Sequence, residues 1–215
     1  MPKLYVSNST ATSRMFKSNF LESLSKVPFY VPLIIYIPVI VIFIWLAFYY
    51  GHAGFFQFIG LFIAGMIVWT LAEYFIHRYP FHYVSSTPWI SRLVWIFHGV
   101  HHDFPRDRLR LVMPPSASLP LAVIFYFIFL LIFGKQNVLC FFPGFITGYL
   151  IYDMMHYALH YYRFKSSVMH TLMKHHALHH YKDPAKAFGI SQPFWDYVFG
   201  TNFKKEDLEA PQMTE

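Results

Sequence analysis

Apolar and polar positions along this chain fall into long blocks, not short amphipathic periods. Residues 30–50 carry no charge and supply about 20 apolar positions, enough to cross roughly 30 Å of hydrocarbon as a helix despite Pro32 and Pro38. A tight connection at 51–54 leads into a second apolar run over 55–74, which ends by delivering Glu73 and His77. A third run, near 119–133, turns back at 134–137 into a fourth over 138–151, whose Pro143, Gly144 and Gly148 membrane helices tolerate. The pattern predicts two helical hairpins, with both termini on one side of a membrane. Pro80 lacks an N–H and disfavours helix at Tyr79, so the second helix is expected to end or kink there, with His77 at its end and His82 just beyond. Residues 91–102 read as a membrane-surface helix: Leu93, Val94, Ile96 and Phe97 meet apolar surroundings while His98, His101 and His102 share another face.

Each hairpin runs on into histidine-rich chain. Residues at i, i+3 and i+4 share a helix face, so His156 and His160 form a two-pronged clamp, and His176, His179 and His180 a three-pronged one. The same grammar occurs earlier, in His77 with His82 and in His98, His101 and His102, so ten histidines fall into two similar halves. A structural zinc takes four ligands, usually rich in cysteine, and the only cysteine, Cys140, lies in an apolar run. Two metals with about five nitrogens each leave an open position on each octahedral ion, as oxygen activation requires. His52 stands alone in the 51–54 connection, and His170 and His175 fall outside the clamp spacing; all three are excluded from the ligand set. Glu73 and Asp153 lie about one turn from a ligand and are candidates to orient imidazoles, with Tyr152 nearby.

Composition agrees with a membrane protein: 56% hydrophobic, 21% aromatic and 13% charged over 215 residues, expected to form one domain. The formal charge of +6 does not read as a nucleic-acid surface, because the basic residues flank apolar runs and form no patch with exposed aromatics. Sixteen of the 17 Lys and Arg fall in segments on the histidine side, and only Lys135 lies in an opposite turn, which places the histidines on the cytoplasmic face. One cysteine rules out an internal disulfide framework. The expected layout is a cytosolic N-terminal segment over 1–28, a membrane domain over 29–201 and a tail over 202–215, frayed from about 204 onward. The first apolar run is too long for a signal peptide and is retained. The aromatic stretch 182–201 is expected to cap the metal site. The fold class is therefore all-α integral membrane: four transmembrane helices in two hairpins, with a cytosolic histidine-rich helical cap holding a dinuclear metal centre.

The histidine groups HRYPFH, HGVHH, HYALH and HHALHH, in that order, resemble the integral-membrane fatty acid hydroxylase and sterol desaturase superfamily. The flanking EYFIHRYPFH, RLVMPP, YDMMH, HHALHHY and FGISQPFWDYVFGT are similar to the fatty acid 2-hydroxylases, over about residues 26–201. The resemblance implies oxygen-dependent hydroxylation of the carbon beside the carboxyl or amide of long acyl chains, in fatty acids or sphingolipids. It implies two iron ions on the cytosolic side, held by His77, His82, His98, His101, His102, His156, His160, His176, His179 and His180, with molecular oxygen as co-substrate. Zinc binds more tightly and can replace iron in purified protein. The chain departs from fungal and animal members in having no HPGG haem motif, so a separate donor is expected, a cytochrome of the b5 type or a ferredoxin with its reductase. No glycine-rich dinucleotide fingerprint supports direct reduction by a nicotinamide. The membrane is the endoplasmic reticulum in a eukaryote and the inner membrane in a bacterium.

Two rival readings stand beside this one. Another membrane lipid oxygenase, acting on a sterol, carotenoid or alkyl chain, shares the histidines but not RLVMPP and the aromatic tail. A non-enzymatic metal-binding or metal-transport membrane protein should place its ligands mid-span, whereas these cluster at span ends.

Overall fold

The computed structural model of the chain describes residues 6–209, among which all regular structure is helical. A short helix α1 (Asn19–Leu24) precedes α2 (Tyr30–Tyr49) and α3 (Phe55–Ile76). After these come α4 (Pro88–Val94), α5 (Val100–Asp103), α6 (Pro115–Tyr161), α7 (Ser167–Tyr181), α8 (Phe194–Val198) and α9 (Lys205–Glu209). Among the described residues three helical stretches are long and apolar enough to cross a membrane: Tyr30–Tyr49, Phe55–Phe81 and Pro115–Tyr161.

The 47 residues of α6 contain two of the expected apolar runs, and they are not one rod. Gly134 breaks the helix with φ 73° and ψ 174°, a conformation that a side chain would strain. Beyond it the chain returns, bringing the Phe125 and Phe145 rings within 4.9 Å and Phe133 and Phe141 within 4.5 Å. In a straight helix residues 125 and 145 would stand about 30 Å apart. The turn expected over four residues is thus made at a single glycine.

The α3–α6 contact is the main interface, and glycine sets its distance. A Cβ on Gly65 would collide with the Phe141 carbonyl oxygen, and one on Gly144 with that of Phe62, so the backbones touch as small residues allow in membrane bundles. Around this crossing Trp69 packs on Phe145, Tyr149 and Tyr152 at 5.1, 5.2 and 5.6 Å, and the buried Tyr36 hydroxyl donates to Ser118 at 2.8 Å. Outward-facing Ile34, Val41, Ile63, Phe127 and Leu131 remain exposed, the arrangement of an integral membrane protein whose solvent is lipid.

Two π-helical turns modify the expected helix ends. Pro80 does not stop the second span at Tyr79; residues His77–Phe81 continue it as a π-turn, whose wider winding takes up the proline ring. The expected surface helix is likewise split by a second π-turn, Trp95–Gly99, between α4 and α5.

The terminal segments pack against the helices. Residues 7–26 strap across the loop at 103–110: Ser7 N–H donates to the Asp103 carbonyl, the Thr12 hydroxyl and Ser13 N–H donate to Asp107, and Arg110 holds Glu22 at 2.8 Å. The expected fraying from 204 does not hold through 209, because α9 forms there, tied by Lys186 to Asp207 at 2.6 Å and by Lys182 to the Leu208 carbonyl. Residues 1–5 and 210–215 of the expected end segments lie outside the described residues.

Candidate metal centre

Four separate segments carry the ten histidines. The first π-turn starts at His77 and leads into His82; the second carries His98 into α5, with His101 and His102; the end of α6 supplies His156 and His160; and α7 supplies His176, His179 and His180. A π-turn widens a helix locally and re-aims the side chains beyond it, a common device at functional sites.

The structure gathers all ten into two groups of five. One is His77, His82, His98, His102 and His179; the other is His101, His156, His160, His176 and His180; within each group the nitrogens lie within 4.8 Å of one another. In the first group the Nε2 atoms form a closed ring. His77 to His98 is 3.0 Å, His98 to His102 3.0 Å, His102 to His179 3.2 Å, His179 to His82 3.0 Å and His82 to His77 3.2 Å. In the second, His156 to His101 is 2.8 Å, His160 to His176 2.8 Å and His180 to His176 3.1 Å. The groups touch where the His102 and His180 rings stack at 4.1 Å.

Hydrogen bonding fixes the rings at three positions. Nδ1 of His77 lies 2.6 Å from the Phe188 carbonyl, Nδ1 of His156 3.0 Å from that of Leu111, and Nδ1 of His179 2.6 Å from that of Lys186. A carbonyl only accepts, so each Nδ1 carries the proton and each neutral ring turns a bare Nε2 lone pair inward. Nδ1 of His101, His176 and His180 meets no protein acceptor, and these rings are oriented by packing.

Burial pushes His82, His98, His101, His102, His176, His179 and His180 well below the ordinary imidazole range, and neighbouring rings add to the effect because two imidazolium ions would repel. All seven are held neutral at pH 7, the form that binds metal. The donor set fits two metal ions. Imidazole nitrogens at about 2.0–2.1 Å from an octahedral ion would stand about 2.9 Å from their neighbours, close to the separations found here. Among the described residues, both groups are made wholly of histidine.

The two carboxylates expected to orient imidazoles reach none. Glu73 accepts from the N–H groups of Ile190 and Ser191 at 2.7 and 2.8 Å and from the Ser191 hydroxyl. Asp153 accepts from Met113 N–H at 3.1 Å and the Tyr149 hydroxyl at 3.3 Å. Each anchors a loop whose backbone carbonyl holds a histidine: 188–191 for His77, 111–113 for His156. Tyr152 stacks at 6.1 Å from the His156 ring.

Sequence reasoning missed Asp196, which is fully buried in the aromatic tail. It accepts from the N–H groups of Phe188 and Gly189, both at 2.8 Å, the Thr201 hydroxyl at 2.7 Å and His175 Nε2 at 3.1 Å. Burial works to raise its pKa, but these donors together outweigh it and hold the carboxyl below the usual range. His175 thus serves the tail, His170 is exposed on α7, and His52 is exposed in the far loop with φ 47°. Phe188 stands 5.7, 5.6 and 5.7 Å from the rings of His77, His82 and His179, so residues 186–190 wall one side of the first group. A largely apolar cavity of about 250 Å³ reaches His98 of the first group and His101 and His156 of the second.

Comparison with known proteins matches the family model described as fatty acid hydroxylase over residues 62–201. The ceramide very long chain fatty acid hydroxylase scs7 of Schizosaccharomyces pombe is 40% identical over 188 residues, 85% of this chain and 53% of its own. The dihydroceramide fatty acyl 2-hydroxylase FAH2 of Arabidopsis thaliana is 35% identical over 189 residues, 87% of this chain and 79% of its own. The fatty acid 2-hydroxylase of Homo sapiens is 35% identical over 212 residues, 89% of this chain and 57% of its own. A solved structure titled full length scs7p, in which only the hydroxylase domain is visible, aligns with TM-score 0.83 at 34% identity, over 91% of this chain and 73% of that one. The chain spans little more than half the length of the fungal and human relatives.

Proposed function

The chain belongs to the fatty acid hydroxylase family, and from that premise we propose that it catalyses oxygen-dependent 2-hydroxylation of the acyl chain of long-chain fatty acids or sphingolipids. One observation carries the reading: two all-histidine groups of five sit at the ends of apolar helices and border an apolar cavity. A reactive centre placed there meets a substrate that arrives from the bilayer.

The proposed ligands are His77, His82, His98, His102 and His179 for one ion and His101, His156, His160, His176 and His180 for the other. Two iron ions, when bound, supply the redox activation of molecular oxygen that acid and base side chains cannot provide. The protein's own work is orientation and exclusion. The Phe188, Leu111 and Lys186 carbonyls hold the Nδ1 protons of His77, His156 and His179, keeping each Nε2 lone pair aimed inward. Glu73, Asp153 and Asp196 fix the loops that bear two of those carbonyls. The Phe188 ring shields one face from water, and the cavity orients the acyl chain so that the methylene beside its carbonyl is the one within reach.

The proposed placement has four transmembrane helices in two hairpins, counting the arms of α6 on either side of Gly134 separately, with the histidines on the cytoplasmic face as the Lys and Arg distribution favours. Domain limits of 29–201 for the membrane hydroxylase unit accompany it. The electrons are assigned to a redox protein, a cytochrome of the b5 type or a ferredoxin with its reductase.

Expression with a competent donor under isotopically labelled oxygen gas, with mass spectrometry of the hydrolysed lipids, tests the reading. The expected product is a 2-hydroxy acyl chain carrying one labelled oxygen. Labelled hydroxyl in a sterol or at the far end of the chain would overturn 2-hydroxylation, and an unlabelled lipid pool would overturn oxygenation itself.

A further inference from the structure

Helix α1 is built inside out. Its acidic residue Glu22 is 5% exposed, while Phe20, Leu21 and Leu24 are 70%, 46% and 45% exposed. A surface helix in water turns its apolar side inward. The reverse is stable where the outer face meets hydrocarbon and the inner face finds polar partners. Glu22 has those partners: Oε1 accepts from Arg110 at 2.8 Å and Lys26 at 3.1 Å, and Oε2 from the N–H groups of Met15 and Phe16 at 2.9 and 3.0 Å. Arg110 also donates from Nη1 to the Ser25 carbonyl and hydroxyl and from Nη2 to the Ser13 carbonyl, closing the strap onto the 107–112 loop.

The outer face is continuous with the membrane surface of the protein. Only residues 25–29 separate α1 from α2, and within that link Val27 packs with Leu111, Val112 and Tyr157 near the histidine-bearing end of α6. Beside α1, against Leu21, Leu24 and Ser25, lies the 250 Å³ cavity that reaches the histidines. Its deep end, at His98, His101, Asp153 and His156, is no more than 4% exposed. Leu21, Leu24 and Phe97 also line it, yet they are 46%, 45% and 52% exposed. Side chains that face a cavity and the outside together mark its mouth, and this mouth is apolar.

Resting on the acyl-hydroxylase reading, we propose that the gap between α1 and the π-turn Trp95–Gly99 is the portal by which the acyl chain of a membrane lipid reaches the metal centre. Leu21 and Leu24 are its specificity-determining wall, and Glu22 with Arg110 is the latch that positions α1. A mouth lined with leucine and phenylalanine accepts a methylene chain at no desolvation cost and rejects a polar head group passing through it. Its width is set by the latch, since a 6-residue helix has too few internal hydrogen bonds to hold its place alone.

The test uses the full chain in lipid nanodiscs with octadecanoic acid bearing a mid-chain diazirine, the photoadducts being mapped by mass spectrometry. Adducts within residues 15–25 and at Phe97, displaced by unlabelled octadecanoic acid, are expected; adducts confined to lipid-facing span positions such as Ile34 and Val41 would overturn the portal. In turnover, Leu21→Trp and Leu24→Trp should raise KM about tenfold with kcat and metal content retained, and Glu22→Gln should shift KM the same way, whereas Val168→Trp on the exposed start of α7 should not. Unchanged KM in both tryptophan variants of an active enzyme defeats the portal and leaves the reaction intact. Portal adducts in a chain that hydroxylates no lipid support the portal and defeat the reaction assigned to it.

Discussion

Nε2 of His101 lies 2.8 Å from Nε2 of His156, which is 55 residues further along the chain, while the adjacent His102 directs its Nε2 to His179, 3.2 Å away. Neighbours in sequence therefore serve different groups, and the pairing of variants should expose this. His101→Ala combined with His156→Ala strikes one group and should leave about one metal per chain of two. His101→Ala combined with His102→Ala strikes both and should deplete both. Metal analysis of purified protein decides it, and equal loss in the two double variants would contradict the partition.

Single ligand changes should be severe and bystanders mild. His179→Ala is expected to lower hydroxylation by more than about 100-fold, since losing a direct ligand should exceed the effect of losing an outer support. His170→Ala, on the exposed side of α7, should keep most activity. A fully active His179→Ala enzyme would refute its assignment as a ligand.

Asp196→Ala tests the tail separately from the ligands. It leaves the N–H groups of Phe188 and Gly189 and the Thr201 hydroxyl without their acceptor, at about 1–3 kcal/mol for each buried group left unsatisfied. The Phe188 and Lys186 carbonyls should then hold His77 and His179 less well, weakening that ion about 10–100-fold. Metal titration should show the ion beside His101 and His156 little changed; equal weakening of both would mean that the tail acts on the whole fold.

Gly65→Ala and Gly144→Ala each drive a methyl group into a facing carbonyl. Because the α3 and α6 backbones must separate to admit it, each should destabilise the protein by about 1–3 kcal/mol. Thermal unfolding in detergent measures this, with Gly60→Ala as a control whose added methyl meets nothing within 4 Å.

Glu22 gives a pH dependence of known sign. Burial alone would raise its pKa, but the Phe16 and Met15 N–H groups, Lys26 and Arg110 outweigh that and lower it from 4.5 to about 2. With the folded value below the unfolded one, its contribution is complete above pH 4.5 and is lost as pH falls toward 2. The stability difference between wild type and Glu22→Gln should therefore be constant near neutrality and shrink through that acid window, as read by chemical denaturation at several pH values. A difference that stayed flat to the acid end would show that Glu22 is not charged and paired in the fold.

The histidine spacing was legible because it is local: i, i+3 and i+4 positions on one helix face result from 3.6 residues per turn, whatever surrounds the helix. The apolar runs were legible for a similar reason, since spanning a bilayer constrains length and composition within one segment. Gly134 announced the turn inside α6 through the residue type that a positive φ favours. Which histidines share a group was a different kind of fact. It depends on where the ends of α3, α6 and α7 stop relative to one another and on two π-turns that shift the register of His82, His98, His101 and His102. Glu73 and Asp153 lie about one turn from a histidine, yet the N–H groups that they accept from are 117 and 40 residues away. Asp196 and the Glu22–Arg110 pair carried no local signal, because what makes them consequential is burial beside groups remote in sequence. Local spacing and apolar run length alone were enough to read an all-helical membrane chain with two halves of histidines in chelating spacing. Only tertiary packing interleaved those halves into two centres, because a nitrogen lone pair is aimed by the loops that hold the opposite edge of its ring.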